Sequence, residues 1–562
     1  MTAPKDLFPP SLRLPHWIAL WALALAAAVV MTWPLASGLG TLGRTANSGD
    51  GRFAVWNVAW VAHALTTDPA RVYDANIFHP HERTLAYSEA NLGAGTLAIP
   101  AWLATKNPYA AHNTVVLFVF AASVVFTWLL ARRLTGDGAS AATAAALYAF
   151  CPYVFAHTPH IQLLMIAGIP MCMLAFHRLV DEPSPRRGAV LAVAIAAQAL
   201  SCAYYGVSAG LTIGFATLFY AWSRRLWGSI AYWTAIGIAA GGSVAIVLPF
   251  FLPFLSIQDD TGFARSLDDA RTWSAYLRSY LASGSHAHEW LLPLIKEWNG
   301  SVLFPGFLGI ILAFAGFAVV MRRRGAGGER WSRDRETVVL YGSVAVLTFW
   351  ASLGPRAGLY TVFYHTIPVF SFLRAPERMG IGVMLCLAVL AAFAVRALGD
   401  RWPPRRRAIG VAACLAVLLE INDVPFNWRP DLPTPQPYQV LARMPRGPVA
   451  EFPFYGLRSD FHLHTRYMLY STAHWQPLVN GYSDHIPADF RTAAPLLATF
   501  PSRHAFEEMK ARRVRYITIN RGRYGHAATL EIMERLEAFM EHLRPIADDG
   551  QVAIYEVVSW PR

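Results

Sequence analysis

Residues 17–36 read Trp-Ile-Ala-Leu-Trp-Ala-Leu-Ala-Leu-Ala-Ala-Ala-Val-Val-Met-Thr-Trp-Pro-Leu-Ala, an almost purely apolar run. About 20 apolar residues are needed for a helix to cross a bilayer, so this run predicts a membrane-spanning helix. Lys5 and Arg13 precede it, as basic residues precede a secretion signal. The apolar core of a signal is only about 7–15 residues long, however. We therefore expect an uncleaved anchor.

Further apolar runs follow along a chain in which 55% of residues are hydrophobic and only 15% are charged. About a quarter of the residues of a soluble domain are charged, so the deficit indicates an integral membrane protein. We predict a polytopic α-helical protein with about eleven spans, each about 17–25 residues long. The predicted span cores are 17–36, 108–131, 140–156, 160–176, 188–203, 207–223, 228–254, 301–321, 337–353, 379–399 and 408–423.

The formal net charge of +12 comes mainly from arginines at alternate span ends. This is the positive-inside pattern, which makes the basicity a topology signal and leaves nucleic-acid binding unsupported. It predicts a cytoplasmic N-terminus, with the loop 38–107 and the tail 425–562 outside. The arginines concerned are Arg132, Arg133, Arg178, Arg186, Arg187, Arg224, Arg225, Arg322–Arg324, Arg330, Arg333, Arg335, Arg396, Arg401 and Arg405–Arg407.

The tail 425–562 differs in character from the rest of the chain. A proline-rich linker comes first, followed by β-rich runs at 448–454, 514–520 and 551–558 that alternate with helical patterns at 488–499 and 528–543. These patterns predict a small α/β extracytoplasmic domain. We therefore divide the chain into a transmembrane domain, 1–424, and an outer domain, 425–562.

The loop 38–107 is far longer than a connector between two helices requires. It contains Asp50 in Ser-Gly-Asp-Gly-Arg (48–52) and Glu89 in Tyr-Ser-Glu-Ala-Asn (87–91). Glycine neighbours allow a close approach of the backbone to a ligand, which favours a catalytic role for Asp50. A turn or helix cap is the structural alternative.

Other polar side chains of the predicted outer face are candidates for substrate binding. Trp56, Trp60 and His63 share a helical stripe, although tryptophans also anchor helices in headgroups. His79 and His81 have too few companions for a convincing metal site, and solvated loop groups are the better interpretation. Stronger candidates for substrate contacts are His157, His160 and Gln162 at an outer turn, and Arg265 and Arg374, which can clamp a phosphate or contact lipid headgroups.

The run Leu-Leu-Ala-Arg-Arg-Leu-Thr-Gly (129–136), together with a first-loop acid shortly after the first span, resembles the family C (GT-C fold) glycosyltransferases. Bacterial members include aminoarabinose lipid A transferases and relatives of the protein O-mannosyltransferases. The phrases at 151–157, 372–378 and 477–483 are similar to an uncharacterised bacterial subgroup near these enzymes. The resemblance implies that Asp50 occupies the position of the family's catalytic acid and that Glu89 is a second acid.

The resemblance further implies an inverting transfer at the outer face of a bacterial inner membrane. The donor would be a sugar on a polyprenyl phosphate, and the acceptor a lipid, glycan or protein. Arg265, Arg374 or a divalent cation would stabilise the leaving phosphate. Relatives often carry an acid where this chain has His157 and His160, so no metal ligand is assigned and no cofactor is certain. The alternatives are a transporter or lipid-handling protein, and an envelope-assembly protein without catalysis.

Overall fold

A computed structural model describes residues 12–44, 49–262, 264–295, 300–323 and 332–561. Lys5, Ser48, Arg324 and Arg330, which entered the predictions above, lie outside these ranges. The helices are α1 Leu14–Met31, α2 Gly49–Thr67, α3 Leu92–Thr105, α4 Pro108–Thr135, α5 Gly138–Ala149, α6 Pro152–Ala156, α7 Ile161–Leu164, α8 Gly168–Asp181, α9 Pro185–Ser201, α10 Ala203–Ser223, α11 Ile230–Thr261, α12 Leu267–Thr272, α13 Phe307–Arg322, α14 Arg333–Ser352, α15 Leu359–Thr366, α16 Gly380–Arg401, α17 Arg406–Glu420, α18 Pro437–Leu441, α19 Thr465–Ser471, α20 Ala488–Leu497, α21 Arg503–Ala511 and α22 His526–Glu537. The strands are β1 Leu42–Gly43, β2 Arg429–Pro430, β3 Val449–Phe452, β4 Tyr516–Asn520, β5 Leu543–Asp548 and β6 Val552–Val557.

Within the described ranges, five helical segments are long and apolar enough to cross a membrane. They are Leu14–Met31, Pro108–Thr135, Gly138–Ala156, Ile230–Asp260 and Pro376–Arg401. Helices α3 and α13 are apolar but shorter. Side chains of Leu14–Met31 and Ile230–Asp260 are mostly exposed, as those of a lipid-facing helix are. The chain is a helical membrane protein, and the count of eleven spans remains a prediction.

The chain folds into two compact units. The first unit comprises residues 1–37, 116–252 and 262–426, and the second comprises 38–115, 253–261 and 427–562. Each unit is therefore assembled from segments that are far apart in sequence. The division of the chain at residues 424 and 425 remains a prediction.

Helix α16 forms the centre of the first unit. Its apolar side chains are almost all buried, and it packs against α5, α13, α14 and α17. Gly316 of α13 lies so close to α16 that an added Cβ would be 2.0 Å from the carbonyl oxygen of Leu390. Small residues allow this kind of close helix packing in membranes.

Three basic helix ends of the first unit converge on one carboxylate. Asp181, at the end of α8, forms ion pairs with Arg133 at 2.5 Å, Arg333 at 3.0 Å and Arg224 at 3.2 Å. These arginines belong to three different loops that the charge pattern placed on one side of the membrane. The three loops do share one end of the first unit.

The second unit contains a four-stranded sheet of order β3-β4-β6-β5. β3 and β4 are parallel and the other neighbours are antiparallel. The predicted strands at 448–454, 514–520 and 551–558 coincide with β3, β4 and β6, whereas β5 was not predicted. Strand β1 of the first loop pairs with β2 of the tail, and α2 packs against α3 and α19. Loop and tail thus fold together.

Candidate active site

Asp50 lies in the first turn of α2, between two tightly packed glycines. An added Cβ on Gly51 would be 2.1 Å from the carbonyl oxygen of Arg44, and one on Gly49 would be 2.8 Å from Cβ of His462. The glycines were expected to admit a ligand. They instead allow Arg44 and His462 of the same chain to pack closely, which fixes the start of α2 and thereby the position of Asp50.

The Asp50 carboxylate is half-buried and accepts a hydrogen bond from the hydroxyl of Tyr482 at 3.4 Å. The positive end of the helix dipole lies at the same place and favours the ionised carboxylate. Tyr482 is itself held by edge-to-face contact with Phe53, one turn further along α2, at a centroid distance of 6.1 Å. The structure therefore presents an oriented carboxylate, which is the requirement for a general base.

Glu89 is connected to the same helix through Asn57. The side-chain amide of Asn57 donates to the backbone carbonyl of Glu89 at 3.4 Å. Asn57 lies seven residues after Asp50, so the two share a face of α2 about 10 Å apart. Within the described chain, the buried Oδ1 atoms of Asn57 and Asn91 accept no hydrogen bond. One face of α2 thus carries both Asp50 and the Asn57 amide that contacts the Glu89 segment.

The segment 480–485 contributes residues that the sequence did not identify as functional. Asn480 is anchored to Glu451 by a pair of hydrogen bonds, of 2.8 and 3.0 Å. Two residues later Tyr482 reaches Asp50, and the backbone N–H of His485 donates to the carbonyl of Tyr87 at 2.9 Å. The segment therefore contacts Asp50 and lies two residues from Glu89. The phrase 477–483 was noted as a family marker, and this was the only signal.

The aromatic stripe of α2 serves the core of the second unit. Trp56 is fully buried and Trp60 is buried, and their indole N–H groups donate to Asn76 Oδ1 at 3.3 Å and to the Val72 carbonyl at 2.8 Å. Headgroup anchoring is therefore wrong for both tryptophans. His63 stacks on Trp475 at a centroid distance of 4.6 Å. Burial lowers the pKa of His63 to about 4, aided by the charge of Lys106.

His79 and His81 are held by the protein itself. The backbone N–H of His79 donates to the carbonyl of Leu478 at 2.8 Å. The His81 ring lies 2.8 Å from Oδ1 of Asp489. Both side chains of this contact are partly exposed at the surface. A role for His79 and His81 as loop groups is therefore better supported than a metal site.

His157 and His160 lie in the turn between α6 and α7, and Gln162 is the second residue of α7. The Nδ1 atom of His157 is 2.8 Å from the carbonyl oxygen of Tyr153, and its ring packs on the Tyr153 ring at 4.2 Å. Burial lowers the pKa of His157 to about 3, with smaller contributions from the charges of His160 and Arg378. His157 is thus a neutral, packed side chain, which makes it a poor phosphate clamp. Gln162 is half-buried at the start of α7.

Arg265 and Arg374, by contrast, come together. The N–H of Ser266 lowers the pKa of Asp269, and the charges of Arg265 and Arg374 lower it further. The Arg374 guanidinium lies 5.6 Å from the ring centroid of Trp273. The backbone N–H of Arg374 donates to the Tyr204 hydroxyl at 2.9 Å.

Arg378 extends this basic group of the first unit. Its guanidinium lies 4.2 Å from the ring centroid of Tyr204, the same tyrosine that receives the N–H of Arg374. Arg378 and Tyr204 are further residues that sequence reasoning missed. The family resemblance at 372–378 implied no role for Arg378. We call Arg265, Arg374 and Arg378 the arginine cluster.

The described residues include histidines, cysteines, aspartates and glutamates, which are the usual metal ligands. Among them, no three histidine, cysteine, aspartate or glutamate side chains lie close enough together to hold a metal ion. The possible divalent cation is therefore given no ligands among the described residues, and no step of the reaction is assigned to it.

Solved structures define the class of fold. The oligosaccharyltransferase of Archaeoglobus fulgidus matches with a TM-score of 0.50 and 13% identity, over 91% of this chain and 70% of the archaeal chain. ArnT from Cupriavidus metallidurans matches with a TM-score of 0.48 and 11% identity, over 98% and 99% of the two chains. Both are GT-C fold glycosyltransferases.

The fold of this protein is therefore the GT-C fold, as the resemblance at 129–136 had indicated. The archaeal oligosaccharyltransferase, with its TM-score of 0.50, supports this assignment of the fold. No family model matches the chain. No curated protein sequence matches it either.

Proposed function

We propose that this protein is an inverting glycosyltransferase that uses a polyprenyl-phosphate sugar at the outer face of a bacterial inner membrane. The observation that carries the proposal is the position of Asp50 in a chain with the GT-C fold. Its carboxylate is oriented by the N-terminus of α2, by two glycines that no larger residue can replace, and by the Tyr482 hydroxyl.

Asp50 supplies the base in this reaction. It accepts the proton of an acceptor hydroxyl while that oxygen bonds to the anomeric carbon of the donor. The bond from the anomeric carbon to the phosphate oxygen breaks, and its electron pair leaves with the polyprenyl phosphate. Attack opposite to the leaving group inverts the anomeric centre. Glu89 is assigned a supporting role toward the sugar.

The arginine cluster supplies positive charge for the phosphate. The charges of Arg265 and Arg374 both act on the carboxylate of Asp269, so the two guanidinium groups belong to one local environment. Guanidinium groups bind phosphate oxygens by paired hydrogen bonds and stabilise the charge that develops on a leaving phosphate. The acceptor is a hydroxyl-bearing lipid, glycan or protein.

Asp50→Asn tests the proposal most directly, because it keeps the size of the side chain and removes the base. We expect transfer to fall at least a hundredfold, as loss of a general base typically costs 10²–10⁴-fold. Asp68→Asn is the matched control, since Asp68 is exposed just beyond the other end of α2. Strains carrying each variant are compared by mass spectrometry of lipids and glycans.

A missing hexose or pentose in the Asp50→Asn strain alone would support the proposal and name the sugar. Unchanged lipids and glycans in both this strain and a deletion strain would contradict it. Transport or envelope assembly without catalysis would then be the better account.

A further inference from the structure

A basic cavity lies in the first unit, at the junction of α8 and α9. It has a volume of about 580 Å³ and is lined by Ala175, Arg178, Glu182, Arg186, Arg187 and Val190. None of these residues belongs to the arginine cluster or to the Asp50 site. Three guanidinium groups around one cavity call for an anion.

The charges of the cavity do not cancel. Arg187 forms an ion pair with Glu182, the one acidic residue of the lining, and donates to the backbone carbonyls of Arg178 at 2.8 Å and Glu182 at 3.0 Å. Arg187 is therefore fixed as a wall of the cavity. In the part of the chain that the structure describes, the guanidinium groups of Arg178 and Arg186 form no hydrogen bond or ion pair with a carboxylate. Two positive charges remain for a ligand.

The direction of α9 strengthens the positive potential. This helix begins at Pro185, beside the cavity, and the Ser184 side chain caps it by accepting the N–H of Arg187. The N-terminal end of a helix carries a partial positive charge, which favours a phosphate nearby.

The apolar part of the lining decides between a lipid and a free anion. Ala175 and Val190 complete the cavity wall, and Val190 is 52% exposed. Val193, one turn further along α9, is 59% exposed. The cavity is thus continuous with an apolar outer surface of a helix that we predict to span the membrane. An acyl chain can lie on this surface while its phosphate lies at the arginines.

We propose that this cavity binds the phosphate headgroup of an anionic membrane lipid. The site is separate from the Asp50 chemistry. In the predicted topology it lies at the cytoplasmic surface, where basic pockets between helices recognise anionic lipids. Arg178 and Arg186 contact the phosphate, and Val190 and Val193 contact the acyl chain.

The test measures lipid binding by the purified full-length protein in nonionic detergent. Phosphatidylglycerol, phosphatidylcholine and inorganic phosphate are titrated separately, and binding is followed by native mass spectrometry and by the thermal unfolding midpoint. We expect phosphatidylglycerol to bind and to raise the midpoint, with no such effect from the other two. Equal effects of phosphatidylglycerol and phosphatidylcholine, or an equal effect of inorganic phosphate, would overturn the proposal.

The double variant Arg178→Gln and Arg186→Gln should weaken phosphatidylglycerol binding about tenfold or more, because each arginine near a headgroup contributes measurably. The matched control is Arg322→Gln with Arg407→Gln, which removes the same charge from exposed arginines outside the cavity. Equal weakening in both double variants would show a general charge effect and reject the site. Val190→Glu retains all the arginines and should also block binding, so the site can be tested even if the double variant fails to fold.

Discussion

The hydroxyl of Tyr482 donates a hydrogen bond to Oδ1 of Asp50 across 432 residues of sequence. It links a helix of the first loop to the tail. A catalytic carboxylate needs a fixed orientation more than it needs close neighbours. Tyr482 provides a fixed contact for Asp50, and under the proposed function it would make the tail contribute to the chemistry of the loop.

Tyr482→Phe removes this hydrogen bond and keeps the aromatic ring that contacts Phe53. A donor to a carboxylate stabilises its ionised form, so the variant should raise the pKa of Asp50 and shift the acidic limb of the rate profile to higher pH. We expect the maximal rate to fall about threefold to tenfold. Transfer rates measured across pH test this. A lower rate with an unshifted acidic limb would contradict the positioning role.

Gly51→Ala should destabilise the second unit severely, because its Cβ would lie 2.1 Å from a backbone oxygen. Backbone cannot move aside cheaply, and a loss of several kcal/mol is expected. Gly210→Ala in α10 is the control, because an added Cβ there meets no atom within 4 Å. The control should be neutral or stabilise the protein by about 0.5–1 kcal/mol. Thermal unfolding in detergent measures both; similar midpoints would refute the close approach.

Asp431→Asn should weaken the contacts that hold the first loop, 38–107, to the tail, and so destabilise the second unit. Asp431 is buried and accepts hydrogen bonds from Tyr109 at 2.5 Å, Arg466 at 2.5 Å and Arg52 at 3.0 Å. Removing one partner of a buried ion pair costs about 3–5 kcal/mol. Glu531→Gln, which removes an exposed partner of Arg535, should cost less than about 1 kcal/mol. Denaturant unfolding of both variants gives the comparison.

The same carboxylate predicts an acid limit to stability. Burial alone would raise the pKa of Asp431, but the hydrogen bonds from Tyr109 and Arg52 and the charge of Arg466 outweigh it and lower the pKa. The unfolded chain therefore binds this proton more tightly. The stabilisation is present above about pH 4, the ordinary value, and is lost as the pH falls through the lowered pKa. Asp431→Asn should flatten this part of the stability profile.

Glu451 predicts a dependence of opposite sign at higher pH. It is fully buried at the centre of β3, and burial raises its pKa to about 7 although Thr518 and Tyr438 donate to it. The folded state thus holds the proton more tightly than the unfolded state does, and stability falls as the pH rises from about 4.5 to 7. Glu451→Gln should remove this fall. An unchanged difference in unfolding midpoint between pH 5 and pH 8 would show that Glu451 is not responsible.

Arg374→Gln should raise the KM for the lipid-linked donor about tenfold with a smaller effect on kcat, if the arginine cluster binds the phosphate. Arg356→Gln is the control, because Arg356 also lies over an aromatic ring, that of Tyr276, at 5.1 Å. Steady-state kinetics with donor titrated at saturating acceptor separate the two parameters. Equal KM values in both variants would remove Arg374 from the donor site.

Sequence patterns predicted helices and strands that form from residues close together in the chain. Apolar length revealed helices such as α4 and α16, and short strand-like runs revealed β3, β4 and β6, in which almost every residue is buried. Strand β5 was missed because Leu543 is its only fully buried residue, so it lacks a strong hydrophobic pattern.

The site was predicted only in part, because its partners are remote in sequence. Asp50 stood out between two glycines, but no local signal connects it to Tyr482. The arginine pattern placed Arg133, Arg224 and Arg333 on one side of the membrane, and in the structure all three form ion pairs with Asp181. The packing of His157 against Tyr153 was not predicted, because a histidine in a turn gives no local signal of what it contacts. A role of His157 in substrate binding stays a prediction.

The joint folding of loop and tail has a consequence for biosynthesis. Asn76 donates to the hydroxyl of Ser471, and 395 positions separate them in the chain. At about 5–20 residues per second, a ribosome needs roughly 20–80 seconds to make that interval. Helix α2, with its buried tryptophans, must wait this long for α19. During each round of synthesis the half-made second unit is thus exposed to chaperones and proteases, and Asp50 acquires its tyrosine partner only near the end of translation.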